Sequence, residues 1–394
     1  MSNWFYQENN QELGPYTDQE MVVLYRKGRV HDQTLVQLEK HADWIPFAQT
    51  PLYRHVSHHE SQSLHTDPLT GEKVTNEIHV KDLFSGVFKK HHKEEGDLVF
   101  IAGTKWTTPK EADISAAWPR PWVFSRVFIV LAITYFLLLA CTYIFGNANT
   151  IPGLMVIGSF AVPFSVLIFF FEANVPRNIS VFDVVKMFFI GGVAALVATL
   201  ILYDIIPVGK LNYFNAFLVG IIEETGKMVI VALFIKSLNS KYVLNGLLIG
   251  AAVGAGFAAF ESLGYAFNYS VDAAFLFKNT HIAGDTMLQI IFSRGWQSIG
   301  GHVVWAAISG AAIVIAKGDA KLGMQHFFTA KFWRLFIIPI LLHFVWDCPF
   351  NPLPQIAFKQ IVLIVIVWIV IIMLISTGLR QVSRISKEKR AQVS

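Results

Sequence analysis

The chain has 394 residues, of which 54% are hydrophobic and only 15% charged, with a net charge of +4. That balance excludes a soluble globule and predicts a polytopic α-helical membrane protein. The small net charge, with no basic stripe carrying interleaved aromatics, argues against a nucleic-acid partner. Two cysteines, Cys141 and Cys348, supply neither a disulfide framework nor a CxxC metal knuckle. The start of the chain is polar and shows no signal peptide, so the first spanning helix is expected to direct insertion.

Residues 1–53 alternate short aromatic-rich runs with turn signals, and the stretch Asp18 to Arg26 predicts one capped helix. The pattern predicts a small α+β soluble domain, with Trp4 and Trp44 expected in its core. Trp4, Tyr6, Gly14, Pro15, Gly28, Val30, Thr34, Leu35, Val36 and Trp44 together resemble the bacterial GYF-like domain. That resemblance implies a module that contacts a protein partner. Residues 54–122 are polar and predict a linker. Its histidines, His55, His58, His59, His65, His91 and His92, are scattered without metal-ligand spacing. Trp118 to Trp122 suits the membrane interface.

Residues 123–380 form the expected membrane domain, with about eight spans of roughly 20 residues each. They fall at 123–145, 151–172, 183–205, 214–238, 243–267, 297–316, 332–350 and 357–378, leaving 268–296 as a long loop. Lys and Arg concentrate at 176–177, 236–241, 317–334 and in a basic tail at 381–394, while the opposite connections hold few. The positive-inside rule then places both termini in the cytoplasm, and a bacterial cell membrane is the expected location.

Four spans carry ionisable residues away from their ends. These are Glu223, Glu224 and Lys227; then Glu261; then His302; then His343 and Asp347. Each charge at a helix centre costs about 2.5–3.5 kcal/mol, so such residues mark function by default. With alternating helix directions and 1.5 Å of rise per residue, Glu223 and Glu224 lie about 14 Å from the outer edge. On the same count Glu261 and His343 lie roughly 10 Å in, His302 about 8 Å and Asp347 about 5 Å. One shared site in the outer half of the bilayer is expected. His343 and Asp347 are spaced i,i+4, so the carboxylate can orient the imidazole. Glu223 and Lys227 share the same spacing, which predicts that Lys227 neutralises Glu223 and leaves Glu224 for chemistry. Small residues at every fourth position, Gly246 to Ala258 and Ser298 to Gly310, predict close packing of spans five and six.

Glu223-Glu224-x-x-Lys227, Phe257-x-x-x-Glu261, Arg294 followed by His302, and His343-x-x-x-Asp347, in that order, resemble the PrsW-type intramembrane proteases. These are related to CAAX prenyl endopeptidases and bacteriocin-processing enzymes. In those relatives the first motif usually ends in Arg, the second in His and the last in Asn or Asp. The resemblance covers about 150–350 and implies hydrolysis of a peptide bond, in a membrane-anchored protein substrate, by glutamate-activated water.

The residue chemistry agrees. A carboxylate in low dielectric is a good proton acceptor, so Glu224 is expected as the base and Glu223 as its positioning partner. His302 and His343 would stabilise an oxyanion or, with Glu261, hold a metal. Zinc is an acceptable ion for two histidines and a glutamate, but without His-Glu-x-x-His it does not follow from sequence. Lys227, Phe257 and Arg294 are expected as supporting residues. Taken alone, Glu223 and Lys227 read equally well as a buried ion pair joining helices. A proton-linked transporter or channel would use the same groups, and an inactive membrane scaffold presenting the GYF-like module is a third reading.

Overall fold

The computed structural model describes residues 4–8, 11–26, 29–39, 43–50, 52–53, 80–350, 352–353 and 357–392. His55, His58, His59, His65 and Gly28 lie outside the described residues. The chain divides into two compact units, Met1–Val74 and Thr75–Ser394.

The first unit holds a four-stranded antiparallel sheet in the order β2-β1-β3-β4, from Trp4–Glu8 (β1), Gln11–Tyr16 (β2), Leu35–Leu38 (β3) and Ile45–Pro46 (β4). Alternation along β1 turns Trp4 and Tyr6 inward, onto Met21, Val30, Val36, Phe47 and Leu52. Helix α1 runs Asp18–Arg26 as expected. It begins with a capping box in which the Thr17 N–H donates to Glu20 (2.8 Å) and the Glu20 N–H donates to the Thr17 hydroxyl (3.3 Å). Trp4 is buried and its indole N–H donates to Asp18 at 2.5 Å, whereas Trp44 is only half-buried and lies outside that core cluster.

In the second unit, residues 80–122 are not the polar linker expected over 54–122. They form helices Val80–Ser85 (α2) and Lys93–Phe100 (α3), and Leu83, Ala102, Ile114, Ala116 and Trp118 bury themselves in the core of the membrane helices. These apolar residues are too widely spaced in a polar stretch to show a period, which is why a linker was expected. The Gly103 N–H donates to the Arg177 carbonyl at 2.8 Å. The Glu172 carboxylate accepts three N–H groups, from Trp122, Val123 and Phe124 at 2.8–2.9 Å, and so satisfies the start of the first long helix.

That helix is Val123–Tyr143 (α4), followed by Ile151–Ala173 (α5), Val181–Ile205 (α6, with a π turn at Met187–Gly191), Tyr213–Ser237 (α7) and Val243–Phe277 (α8). Next come Thr280–Gln297 (α9), His302–Lys317 (α10), Ala330–Asp347 (α11) and Phe358–Ala391 (α12). Each of the eight expected stretches is helical over most of its length. Among the described residues, six helical stretches are long and apolar enough to cross a membrane, α9 and α10 counting together as one. Helices α7 and α11 fall outside that group because they carry Glu223, Glu224 and Lys227, and Lys331, Arg334 and Asp347. The basic tail is no separate segment either. It continues α12 to Ala391, where the Ser386 hydroxyl and the Arg390 guanidinium both donate to the Ala112 carbonyl.

The stretch 268–296 is also helical, forming the end of α8 and most of α9. Ala283, Met287 and Ile291 recur at every fourth position and are buried, the last two in a cluster with Leu154 and Met155 of α5. Balanced charges scattered along the stretch, Asp272, Lys278, Asp285 and Arg294, hid this period.

Two close approaches position the site. Along α8 and α10, Gly246 faces the Gly310 carbonyl, Gly250 that of Ala306 and Gly254 that of His302, and a Cβ on any of them would collide with backbone. This seam brings His302 beside Phe257 and Glu261. A Cβ on Gly220 would lie 2.9 Å from the Ile340 carbonyl, so α7 presses on α11 one turn before Glu223 and Glu224.

Candidate active site

All of the expected site residues meet in one continuous network. At its centre the Lys227 ammonium lies 2.6 Å from Glu224 Oε1, 2.8 Å from His302 Nδ1 and 3.7 Å from Glu223 Oε2. It also sits 4.5 Å over the Phe257 ring. The closer carboxylate is therefore Glu224, not the expected Glu223. Both i,i+3 and i,i+4 partners are within a lysine's reach on a helix. His302 and Phe257, contributed by α10 and α8, hold the ammonium on the Glu224 side.

Lysine can only donate, so His302 Nδ1 accepts and its Nε2 carries the proton toward Glu261 Oε2, 3.0 Å away. Glu261 also pairs with Arg294 of α9, whose Nε donates to the Ser262 hydroxyl at 3.0 Å and whose guanidinium lies over the Tyr265 ring. His343 Nδ1 lies 2.9 Å from Glu224 Oε1. His343 Nε2 lies 3.3 Å from Asp347 Oδ2 and 3.7 Å from Glu223 Oε2, so the ring faces carboxylates from both nitrogens. The expected Asp347 partnership is thus one of two, and Glu224 supplies the shorter contact. Trp305 packs against the His343 ring with centroids 4.7 Å apart.

Glu223 and Glu224 each keep an Oε2 without a hydrogen-bond partner, and they differ in exposure and in what holds the other oxygen. Glu224 is fully buried and its Oε1 is shared between Lys227 and His343. Glu223 accepts the Tyr203 hydroxyl on Oε1 at 3.2 Å, and its Oε2 has no hydrogen-bond partner. Side-chain exposure rises outward from zero at Lys227 through 10% at Glu223 and 16% at Glu261 to 26% at Asp347. The site therefore opens past Glu223 and Asp347, and Glu223 Oε2 is the orphaned acceptor nearest that opening.

Four carboxylates, Glu223, Glu224, Glu261 and Asp347, face two permanent cations, Lys227 and Arg294. The excess of negative charge suits a bound cation. Among the described residues, a carboxylate oxygen of Glu223 and one ring nitrogen each of His302 and His343 lie within 4.8 Å of one another. The Glu223 oxygen and the His343 ring, oriented by Glu224, fit a divalent transition metal, whereas His302 would have to release its Lys227 or Glu261 contact to join them. Glu261, the carboxylate expected to join the histidines, is not in that group, because Arg294 and His302 already engage it.

Sequence reasoning did not single out Tyr203, Ser262, Tyr265 or Trp305. The available signal was weak: Ser262, Tyr265 and Trp305 lie within four residues of Glu261 or His302 but are ordinary in an apolar helix, and Tyr203 meets Glu223 only in space.

This arrangement defines a class: a polytopic helical membrane protein whose bundle encloses an acid–base cluster built from four of its helices and closed by a fifth. Residues 181–375 match the family described as PrsW family intramembrane metalloprotease, and residues 4–51 match GYF domain 2. The membrane region is thus PrsW-like and the N-terminal unit GYF-like, as the motifs imply. A relative, Protease PrsW of Clostridioides difficile (strain 630), is 26% identical over 166 residues, which are 41% of this chain and 60% of the relative. The match therefore spans less than two thirds of that relative's length. No solved structure matches.

Proposed function

We propose that this protein is an intramembrane peptidase that hydrolyses a peptide bond in a membrane-associated protein substrate. The observation that carries the reading is the orphaned Glu223 Oε2, held between two histidines where the cluster opens. Glu223, rather than Glu224, takes a proton from the attacking water and returns it to the departing amine. Tyr203 fixes the other oxygen of Glu223, so that Oε2 keeps its direction. Glu224 acts through His343, whose ring it orients from Nδ1. His302, anchored by Lys227 and Glu261, and the Arg294–Glu261 pair border the space for the scissile carbonyl. Glu223, His302 and His343 are the residues that would hold a zinc ion, which when bound polarises water and carbonyl oxygen. Glu223 acts as the base where it is not itself a ligand.

The Lys/Arg distribution supports cytoplasmic termini in a bacterial cell membrane, with the site toward the outer leaflet. The GYF-like unit would recruit a protein partner on the cytoplasmic side. The test is a comparison of membrane-protein fragments in cells carrying the intact protein or Glu223→Gln, followed by cleavage of the emerging substrate in proteoliposomes. Loss of the fragments with unchanged insertion is expected. Retained cleavage by Glu223→Gln overturns the assignment. Ion flux in the same liposomes, abolished by the same substitution, would establish a transporter instead. Reversible loss of cleavage on chelation, with recovery on adding zinc, would establish the metal.

A further inference from the structure

We propose that the segment 84–106, which precedes the first long helix, is an in-plane membrane anchor. In this arrangement Phe88 and Trp106 enter the headgroup region, and Lys89, Lys90 and Lys105 bind anionic lipid headgroups.

Phe88 is 94% and Trp106 78% exposed, although the segment around them is packed and hydrogen-bonded. Each aromatic has an exposed lysine next to it in sequence, Phe88-Lys89-Lys90 and Lys105-Trp106, and the Lys105 ammonium lies 5.7 Å over the Trp106 ring. Exposed apolar rings with adjacent cations are what an interfacial element on an anionic surface carries. Phe84 and Ile101, 45% and 46% exposed, extend the apolar surface.

The position of this surface is set by the helices. Arg126 lies in the first turn of α4, a helix whose spanning window is only 6% buried and whose Val130, Phe136 and Leu137 face outward. The Arg126 guanidinium reaches back to donate to the carbonyls of Val87 and Lys89, both at 3.3 Å. An arginine one turn inside a lipid-facing helix directs its head to the interface. Phe88, between the two carbonyls it holds, is therefore placed at headgroup level, continuous with the lipid-facing side of α4. At the far end, Gly103 is hydrogen-bonded to Arg177, at the turn between α5 and α6. That turn lies at the same end of the bundle, because Glu172 caps α4 from there. Both ends of the segment are thus pinned at one membrane boundary, with aromatics and lysines left facing out.

The test uses the full chain in nanodiscs of neutral lipid, or of neutral lipid with increasing phosphatidylglycerol. Single spin labels are placed by Phe88→Cys, Trp106→Cys or, as an aqueous reference, Glu388→Cys, after Cys141 and Cys348 are changed to Ala. Size-exclusion profiles confirm that each variant remains folded. Labels at 88 and 106 are expected to collide with oxygen in preference to an aqueous nickel complex, the reverse of the label at 388. They should also move deeper as phosphatidylglycerol is added. Replacing Lys89, Lys90 and Lys105 by Glu should abolish that shift, each lysine lost weakening headgroup association by about fivefold or more. Labels at 88 and 106 as nickel-accessible as the one at 388 would overturn the anchor. So would labels shielded from both reagents, which signals protein contact. A depth independent of phosphatidylglycerol would overturn the headgroup recognition.

Discussion

The two units of this chain solve opposite problems with the same chemistry. In the N-terminal unit, aromatics do the burying: Trp4, Tyr6 and Phe47 fill the core, while polar groups close turns and caps at its surface. In the membrane unit, apolar residues are everywhere and carry little information. Close packing there comes from glycine and alanine along α8 and α10, and the buried centre is charged. The difference follows from the solvent. Water rewards removal of apolar area, whereas lipid does not, so in the bilayer only backbone approach and polar contacts separate one helix arrangement from another. The exceptions to the majority composition therefore mark structure and function in each unit, aromatic in one and ionisable in the other.

The largest effect expected falls on the two glutamates. Glu223→Gln should lower cleavage by roughly 10²–10⁴-fold, as for loss of a general base. Glu224→Gln, acting through His343, should lower it by about 10–100-fold. Single-turnover cleavage in proteoliposomes measures both, and equal or reversed losses would return the role of base to Glu224. Next, Lys227→Met should destabilise the membrane unit by about 3–5 kcal/mol, because it leaves Glu224 buried without its cation. Trp4→Ala should destabilise the N-terminal unit by a similar ~3–5 kcal/mol through lost packing. Denaturant unfolding of the full chain, read by labels in each unit, should show each loss confined to its own unit. A shared loss would break the comparison.

Gly250→Ala should cost about 1–3 kcal/mol, since its Cβ would meet the Ala306 carbonyl and push α8 from α10. It should also weaken cleavage, because His302 lies on the same seam. Tyr203→Phe should leave stability nearly unchanged and slow cleavage about tenfold, through loss of one hydrogen bond to Glu223. The smallest effect is a pH dependence in the N-terminal unit. Donation by the Thr17 backbone and hydroxyl holds the Glu20 carboxyl below its usual range. A carboxylate lowered on folding adds stability above its unfolded value, which is lost as pH falls through the lowered one. The denaturant midpoint of this unit should therefore decline from about pH 4 downward, and Glu20→Gln should flatten that part of the decline.

Sequence alone singled out the ionisable residues of the membrane helices and the order in which they come. An ionisable side chain in an apolar helix is costly enough to stand out, and i,i+4 spacing along one helix already joins His343 to Asp347. It also determined the GYF-like unit, whose α1 helix lies where its cap and apolar spacing place it. Only the tertiary structure decided the partners. Lys227 reaches Glu223 and Glu224 almost equally well along α7, and the choice of Glu224 came from His302 and Phe257 on other helices. The same holds for Tyr203, which meets Glu223 from α6, and for residues 80–122, whose few apolar side chains find their burial on helices distant in sequence. Periodicity and spacing report contacts within one element. Rotation of an element about its axis is set by the surfaces it meets.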